Sequence, residues 1–159
     1  RKAVYKGIYD SGNLLVSQIT GQGVCIIQKE QAAKLLLPKE KLEIEQFYIQ
    51  FSEEKAKKEE KKREKNGKKK QQIEQPLWKM WAKQFQTGIY VLQYSTVGKK
   101  NAKMPGVMAE EIVVLKDGEV LTRTKGMLGI SQEELSETKE FFILLPNDIF
   151  DREKSSNIL

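Results

Sequence analysis

A mainly β domain interrupted by a helical insert is the fold class predicted for this 159-residue chain. Three observations predict it. Short apolar runs punctuated by Gly, Asn and Asp fill the first 28 residues. Helical periodicity and a dense charged tract occupy about residues 39–86. Apolar runs with β-strand alternation and a strong hairpin signal return from Ile89 onward. One domain spanning residues 1–159 accommodates this length, and it can bury a core without covalent staples.

Ala3 to Tyr9 reads as a strand carrying Val4, Tyr5, Ile8 and Tyr9. Asp10-Ser11-Gly12-Asn13 interrupts it with residues that favour tight turns. Leu14 to Ser17 resumes the strand, Thr20 to Gly23 turns again, and Val24 to Gln28 forms a short buried strand. Lys29 to Leu37 takes a helical pattern that Pro38 should end. Lys41 to Phe51 begins a second amphipathic helix, which runs into the charged tract and stops near Asn66-Gly67. Ile73 to Phe85 is a third helical segment, whose Trp78, Trp81 and Phe85 form a core or interface stripe.

The second half returns to sheet. Ile89 to Tyr94 alternates as a strand, and Val97 to Gly106 reads as a polar loop bounded by glycines. Glu111 to Lys116 and Glu119 to Thr124, joined by Asp117-Gly118, make a hairpin. Gly126 to Ile130 reads as an apolar strand. Ser131 is then expected to cap a helix, with Glu134 at the capping-box position. Phe141 to Leu145 is a last strand, closed by Pro146.

Composition removes several function classes. There is no histidine, which excludes a nucleophile–histidine triad and makes a zinc site improbable. Carboxylates are then the natural groups for acid–base chemistry, and no metal or cofactor is called for. Cys25, the single cysteine, cannot form an internal disulfide and reads as a small buried thiol in a reducing setting. The net charge of +6 is local. Residues 53–70 hold ten Lys/Arg and five Glu, leaving 18 basic and 17 acidic residues elsewhere. The tract has no interleaved aromatic residue for base stacking, so a solvated helix or insert explains it better than a nucleic-acid groove.

The acidic turn carries the chemistry. Hydrolysis of a peptide by carboxylates alone needs two of them sharing one proton, one acting on water and the other on the scissile carbonyl. Each must sit on a tight loop between strands, beside a small hydroxyl and a glycine that lets backbones approach. Ile8-Tyr9-Asp10-Ser11-Gly12 followed by Leu14-Leu15 supplies those parts. Asp10 is the candidate catalytic residue, with Ser11 and Gly12 as its loop supports. The later Met127-Leu128-Gly129, followed by the expected helix, is taken as the apolar segment packed beside that loop. Glu110 and Glu111 lack the turn-glycine setting, so the second carboxylate should be Asp10 of another copy, in an isologous homodimer. Val97 to Gly106 is the expected flap.

These residues, in their order, resemble a known family. Asp10-Ser11-Gly12-Asn13-Leu14-Leu15 with Thr20-Gly21-Gln22-Gly23-Val24, then Ser95-Thr96-Val97-Gly98, Gly126-Met127-Leu128-Gly129-Ile130-Ser131, Leu135-Ser136 and Phe142-Ile143-Leu144-Leu145-Pro146 are similar to the sporulation sigma-E factor processing peptidases. The resemblance covers about two-thirds of the chain and skips the charged insert. Leu145 stands where that pattern has a histidine, and its arginine near Ser95 is absent. The resemblance implies a retropepsin-like acid protease half-barrel lobe, acting as a dimeric aspartic endopeptidase. Its substrate would be a precursor sporulation sigma factor, activated by removal of an N-terminal pro-segment, with an accessory activating protein as a further partner. It also implies a place on the cytoplasmic face of the cell membrane. The chain opens at Arg1 and has no spanning segment, so the anchor and an upstream strand are expected outside it.

Two other readings stand beside this one. Asp10-Ser11-Gly12 could be an ordinary turn in a non-catalytic interaction domain whose Trp78, Trp81 and Phe85 bind a partner. Substitution of Asp10 separates the two, because partner binding would survive it. The second is a basic nucleic-acid-binding domain using Lys55 to Lys70, marked by steeply salt-dependent binding.

Overall fold

The computed structural model describes residues 1–50, 88–96 and 99–152. The chain divides into two compact units, Arg1–Leu36 with Tyr90–Leu159, and Leu37–Ile89. Among the described residues the strands are β1 (Gly7–Tyr9), β2 (Cys25–Gln28), β3 (Ile89–Thr96), β4 (Lys99–Lys116), β5 (Glu119–Ser131) and β6 (Ile143–Leu145). They form one mixed sheet in the order β1-β6-β2-β5-β4-β3. The protein is thus mainly β, as the apolar alternation predicts.

The pairing is antiparallel at β4–β5 and β2–β6, and parallel at β1–β6 and β2–β5. One transverse row runs Ile8, Leu144, Ile26, Gly129, Gly106. Gly129 and Gly106 face one another across the β4–β5 ladder. A Cβ on Gly129 would lie 2.7 Å from the Met104 sulfur, and one on Gly106 would lie 2.8 Å from the Leu92 side chain. Their bare backbones therefore make room for the apolar cluster of Val24, Leu92, Met104 and Met127, against which Leu15, Ile26 and Tyr94 pack.

The β4–β5 hairpin is longer than its sequence signal. Its turn falls at Asp117-Gly118 as expected, with φ of 51° and 80°, the doubly positive geometry of a two-residue hairpin turn. However, β4 begins at Lys99, so residues 99–106 are strand and not the expected polar flap; Val97 and Gly98 lie outside the described residues. Register shifts interrupt the ladder between Ala109 and Ile112 and between Val114 and Leu115. From Gly129 the strand β5 runs back ten residues to Glu119, about 30 Å at the usual rise per residue. Gly126 to Ile130 is a continuation of this strand.

Other expectations are corrected locally. Ala3 to Lys6 lie outside any strand, and Leu14 to Ser17 contribute one bridge, Val16 to Gly23. Helix α1 covers only Lys29–Ala32. Lys34 and Leu35 donate to Gln31 and Ala32, contacts three residues back that tighten and close the helix. Pro38 opens the next helix instead of ending one. Residues 38–50 are helical (α2), and the Glu40 carboxylate accepts the Leu37 N–H at 2.7 Å, half of a capping box with proline at the first helical position. Within α2, Ile44 and Phe47 are buried while Leu42 and Ile49 are exposed. Ser131 caps no helix. It closes β5 opposite Gln28, and its hydroxyl accepts the Glu133 N–H at 3.1 Å, a local turn that competes with helix initiation. The charged tract and the expected helix from Ile73 to Phe85 lie outside the described residues. No helix among the described residues is long and apolar enough to cross a membrane.

Candidate active site

Asp10 follows β1 directly and sits half-buried where the strand leaves the sheet. Its backbone N–H donates to the Leu145 carbonyl at 3.2 Å, continuing the β1–β6 ladder by one bond. The turn then closes on itself. The Asn13 N–H donates to the Asp10 carbonyl at 3.0 Å, and the Gly12 N–H donates to Asp10 Oδ1 at 2.9 Å. This is the side-chain mimicry of a backbone turn for which aspartate is favoured. Oδ2 accepts no hydrogen bond among the described residues. Ser11 and Gly12 are exposed. A Cβ on Gly12 would stand 3.2 Å from Asp10 Oδ1, so glycine leaves the carboxylate its position.

The neighbour of this turn is β6, a correction to the sequence reading. Met127-Leu128-Gly129 lies in β5, paired with β2 and separated from β1 by two strands. Ile143-Leu144-Leu145 occupies the place expected of it, in parallel register with Gly7-Ile8-Tyr9. Both are apolar triplets next to a chain reversal, and the sequence alone does not distinguish them.

Asn13, a turn former by residue type, is also the anchor of the loop. Its side chain is 7% exposed. Nδ2 donates to the Val24 carbonyl at 3.0 Å, and Oδ1 accepts the Leu15 N–H at 3.3 Å. Asn13 thereby ties the acidic turn to the start of β2. Its carbonyl also accepts the Asn147 N–H at 3.4 Å, while the Tyr9 hydroxyl donates to the Asn147 carbonyl at 3.1 Å. Tyr9 and Phe150 bring their rings to 5.4 Å. The segment after β6 is thus fastened along the acidic loop.

The segments flanking the turn expose apolar side chains. Ile8, Tyr9, Leu14, Val16 and Ile19 are all exposed, and β1 is an edge strand of the sheet. The two Glu considered as internal partners, Glu110 and Glu111, sit at the β4 register shift, where Glu111 pairs with Arg123 at 2.7 Å.

The long hairpin shares an end of the sheet with this turn. β1 and β6 run from the Ile8–Leu144 row toward Asp10 and Pro146, whereas β2 and β5 run the opposite way. Following β5 backward from Gly129 therefore leads in the direction of Asp10 and continues to the Asp117-Gly118 tip. Near that tip Leu115 and Val120 face each other in register and are 54% and 49% exposed.

Comparison with known proteins adds one finding. The family model of peptidase family U4, described as sporulation factor SpoIIGA, matches residues 1–149. No curated protein and no solved structure matches the chain.

Proposed function

Since the chain belongs to the SpoIIGA family of sporulation peptidases, we propose that it is an aspartic endopeptidase, active as a homodimer through Asp10 of each copy. Its substrate in this reading is a precursor sporulation sigma factor, shortened by removal of an N-terminal pro-segment. The sheet is then a retropepsin-like lobe, with residues 39–86 as an insert in a single domain. The whole protein works at the cytoplasmic face of the membrane, joined by an accessory activating protein.

The observation that carries this reading is the acidic turn itself. Asp10 is presented at the mouth of a strand edge by three independent ties, to Leu145, Gly12 and Asn13. One oxygen is held by Gly12, and the other accepts no hydrogen bond among the described residues. A second copy across a twofold axis would bring two such carboxylates together, with the exposed Ser11 hydroxyls bracing the paired loops. The pair shares one proton. One carboxylate takes a proton from water as its oxygen attacks the scissile carbonyl carbon; the other gives its proton to the carbonyl oxygen. The tetrahedral intermediate collapses as the amide nitrogen is protonated and the C–N bond breaks.

The β4–β5 arm, in place of Val97 to Gly106, is the element that covers the bound peptide and excludes water. It leaves the sheet at the same end as Asp10 and carries Leu115 and Val120 at its tip. The test is co-expression of the membrane-anchored protein with the precursor. Asp10→Asn should abolish conversion to the mature factor without loss of fold. Conversion at the wild-type rate by a folded Asp10→Asn protein would overturn the reading.

A further inference from the structure

Arg152 is a cation that the chemistry above does not use, yet its side chain is only 4% exposed. Its guanidinium reaches three groups from separate parts of the chain. Nη2 donates to Asp148 Oδ1 at 3.0 Å and to the Gly23 carbonyl at 2.5 Å, and Nη1 donates to the Lys125 carbonyl at 3.4 Å. Asp148 completes the arrangement, its Oδ2 accepting the Gly23 N–H at 2.9 Å. Two glycines make room for the pair. A Cβ on Gly23 would meet Asp148 Oδ1 at 2.5 Å, and a Cβ on Gly126 would meet Arg152 Nη1 at 2.8 Å.

The two carbonyls belong to different parts of the site. Gly23 ends the hairpin that follows Asp10, bridged to Val16 and one residue before the Val24 carbonyl that holds Asn13. Lys125 and Gly126 lie at the base of the long arm. Gly126 pairs with Ala109 in the last register before the ladder shifts at Glu110 and Glu111. A bulge is where a hairpin bends and twists away from its sheet. The rigid fork of a guanidinium suits a junction of this kind, since it can hold several acceptors at fixed angles.

We propose that Arg152, seated by Asp148, is a positioning residue that locks the base of the β4–β5 arm to the hairpin that follows Asp10, and so sets where the arm stands over bound peptide. The second half of this statement rests on the peptidase reading, whereas the lock does not. Loss of the fork should free the arm to swing about its bulge while leaving the carboxylate where it is.

The experiment uses the full-length protein with Arg152→Met, Arg152→Lys and Gly126→Ala. Backbone hydrogen exchange is measured by mass spectrometry, and cleavage kinetics with the precursor sigma factor. In Arg152→Met, exchange over residues 119–126 should rise about tenfold or more with exchange in β2 and β6 unchanged. KM should rise about tenfold with kcat within about threefold and the pH profile unmoved. Arg152→Lys should fall between, because an ammonium reaches one acceptor well but lacks the fork. Gly126→Ala should reproduce the arm phenotype by displacing Nη1, and it decides the matter should Arg152→Met fail to fold. Unchanged exchange in the arm, or exchange rising uniformly across the sheet, would overturn the lock. Local loosening with no change in KM would overturn its role over the substrate. Loosened exchange in a protein that cleaves nothing, even as wild type, would retain the lock and sink the peptidase reading.

Discussion

The Asp10 N–H and the Leu145 carbonyl lie 3.2 Å apart, and this bond makes β6 the strand that flanks the acidic turn. Leu145 closes a parallel ladder of three residue pairs, after which the chain is free to turn. What keeps the turn from fraying lies on its other side, in Asn13. Its side chain supplies an acceptor to Leu15 and a donor to Val24. Asn13→Ala leaves the Val24 carbonyl and the Leu15 N–H to find other partners in a buried setting, which costs roughly 1–3 kcal/mol. Urea denaturation should report that loss. At a temperature where the variant is fully folded, cleavage should fall by more than about tenfold, because misplacement of the carboxylate acts on the barrier itself. A destabilised variant with wild-type kcat would show that Asn13 serves the fold alone.

The arm tip gives a contrasting case. Leu115 and Val120 are about half exposed, so replacing both by Ser removes little buried apolar surface. Stability should change by less than about 1 kcal/mol, as for most surface substitutions. If the arm closes over substrate, the same double variant should raise KM for the precursor by about tenfold. Unaltered kinetics would detach the arm from the site and leave it as a surface for another partner.

These two sites differ in how legible they are from sequence. The turn at Asp10-Ser11-Gly12-Asn13 and the tip at Asp117-Gly118 rest on local chemistry, in which a side chain or a positive φ decides the geometry. Strand order is another matter. Leu145 beside Tyr9, and Gly129 opposite Gly106, are pairings between distant residues, and apolar triplets such as Ile143-Leu144-Leu145 and Met127-Leu128-Gly129 carry no label of their neighbours. Two boundary residues show the same limit at close range. Pro38 signals the end of one helix and the start of the next equally well. Ser131 is as well suited to a hydroxyl turn as to a helix cap, and its pairing with Gln28 selects the turn. Asp148 stands four residues before Arg152 and is visible as a pair, but the other acceptors, the backbone carbonyls of Gly23 and Lys125, leave no mark in the sequence.

Cys25 supplies a pH prediction independent of activity. Burial pushes its thiol from the ordinary 9.0 up to about 11; the Arg152 guanidinium pulls it partly back, and the Asp148 carboxylate adds to the rise. A folded-state value above the unfolded one means that the protonated thiol favours the folded chain. Its contribution is fully present below about pH 9 and is lost as pH rises through about 11, amounting to roughly 2–3 kcal/mol in all. Urea unfolding of the wild type and of Cys25→Ala, measured near pH 8 and near pH 10.5, isolates the effect from titrating lysines and tyrosines. The gap between the two proteins should shift by about 1–2 kcal/mol against the wild type at the higher pH. A gap that does not move would show that Cys25 titrates in the folded protein as it does in the unfolded chain.

The shared active site makes the last prediction quantitative. If each carboxylate of the catalytic pair comes from a different copy, one Asp10→Asn subunit silences the whole dimer. Wild-type and Asp10→Asn chains mixed in equal amounts and allowed to exchange would then retain about a quarter of the activity, since only dimers with two wild-type subunits cut. Independent active monomers would retain about half. Exchange must be real and association complete for the two numbers to separate. Both chains are therefore fused to the same parallel coiled coil, which raises the effective concentration of one lobe for another as a membrane tether would. They are then unfolded together and refolded, and activity on the precursor is followed as the mutant fraction increases. A curve falling as the square of the wild-type fraction supports two Asp10 residues at one site. A straight line would mean that a single chain completes its own catalytic pair, and the exposed apolar side chains of Ile8, Leu14 and Val16 would then need a different occupant.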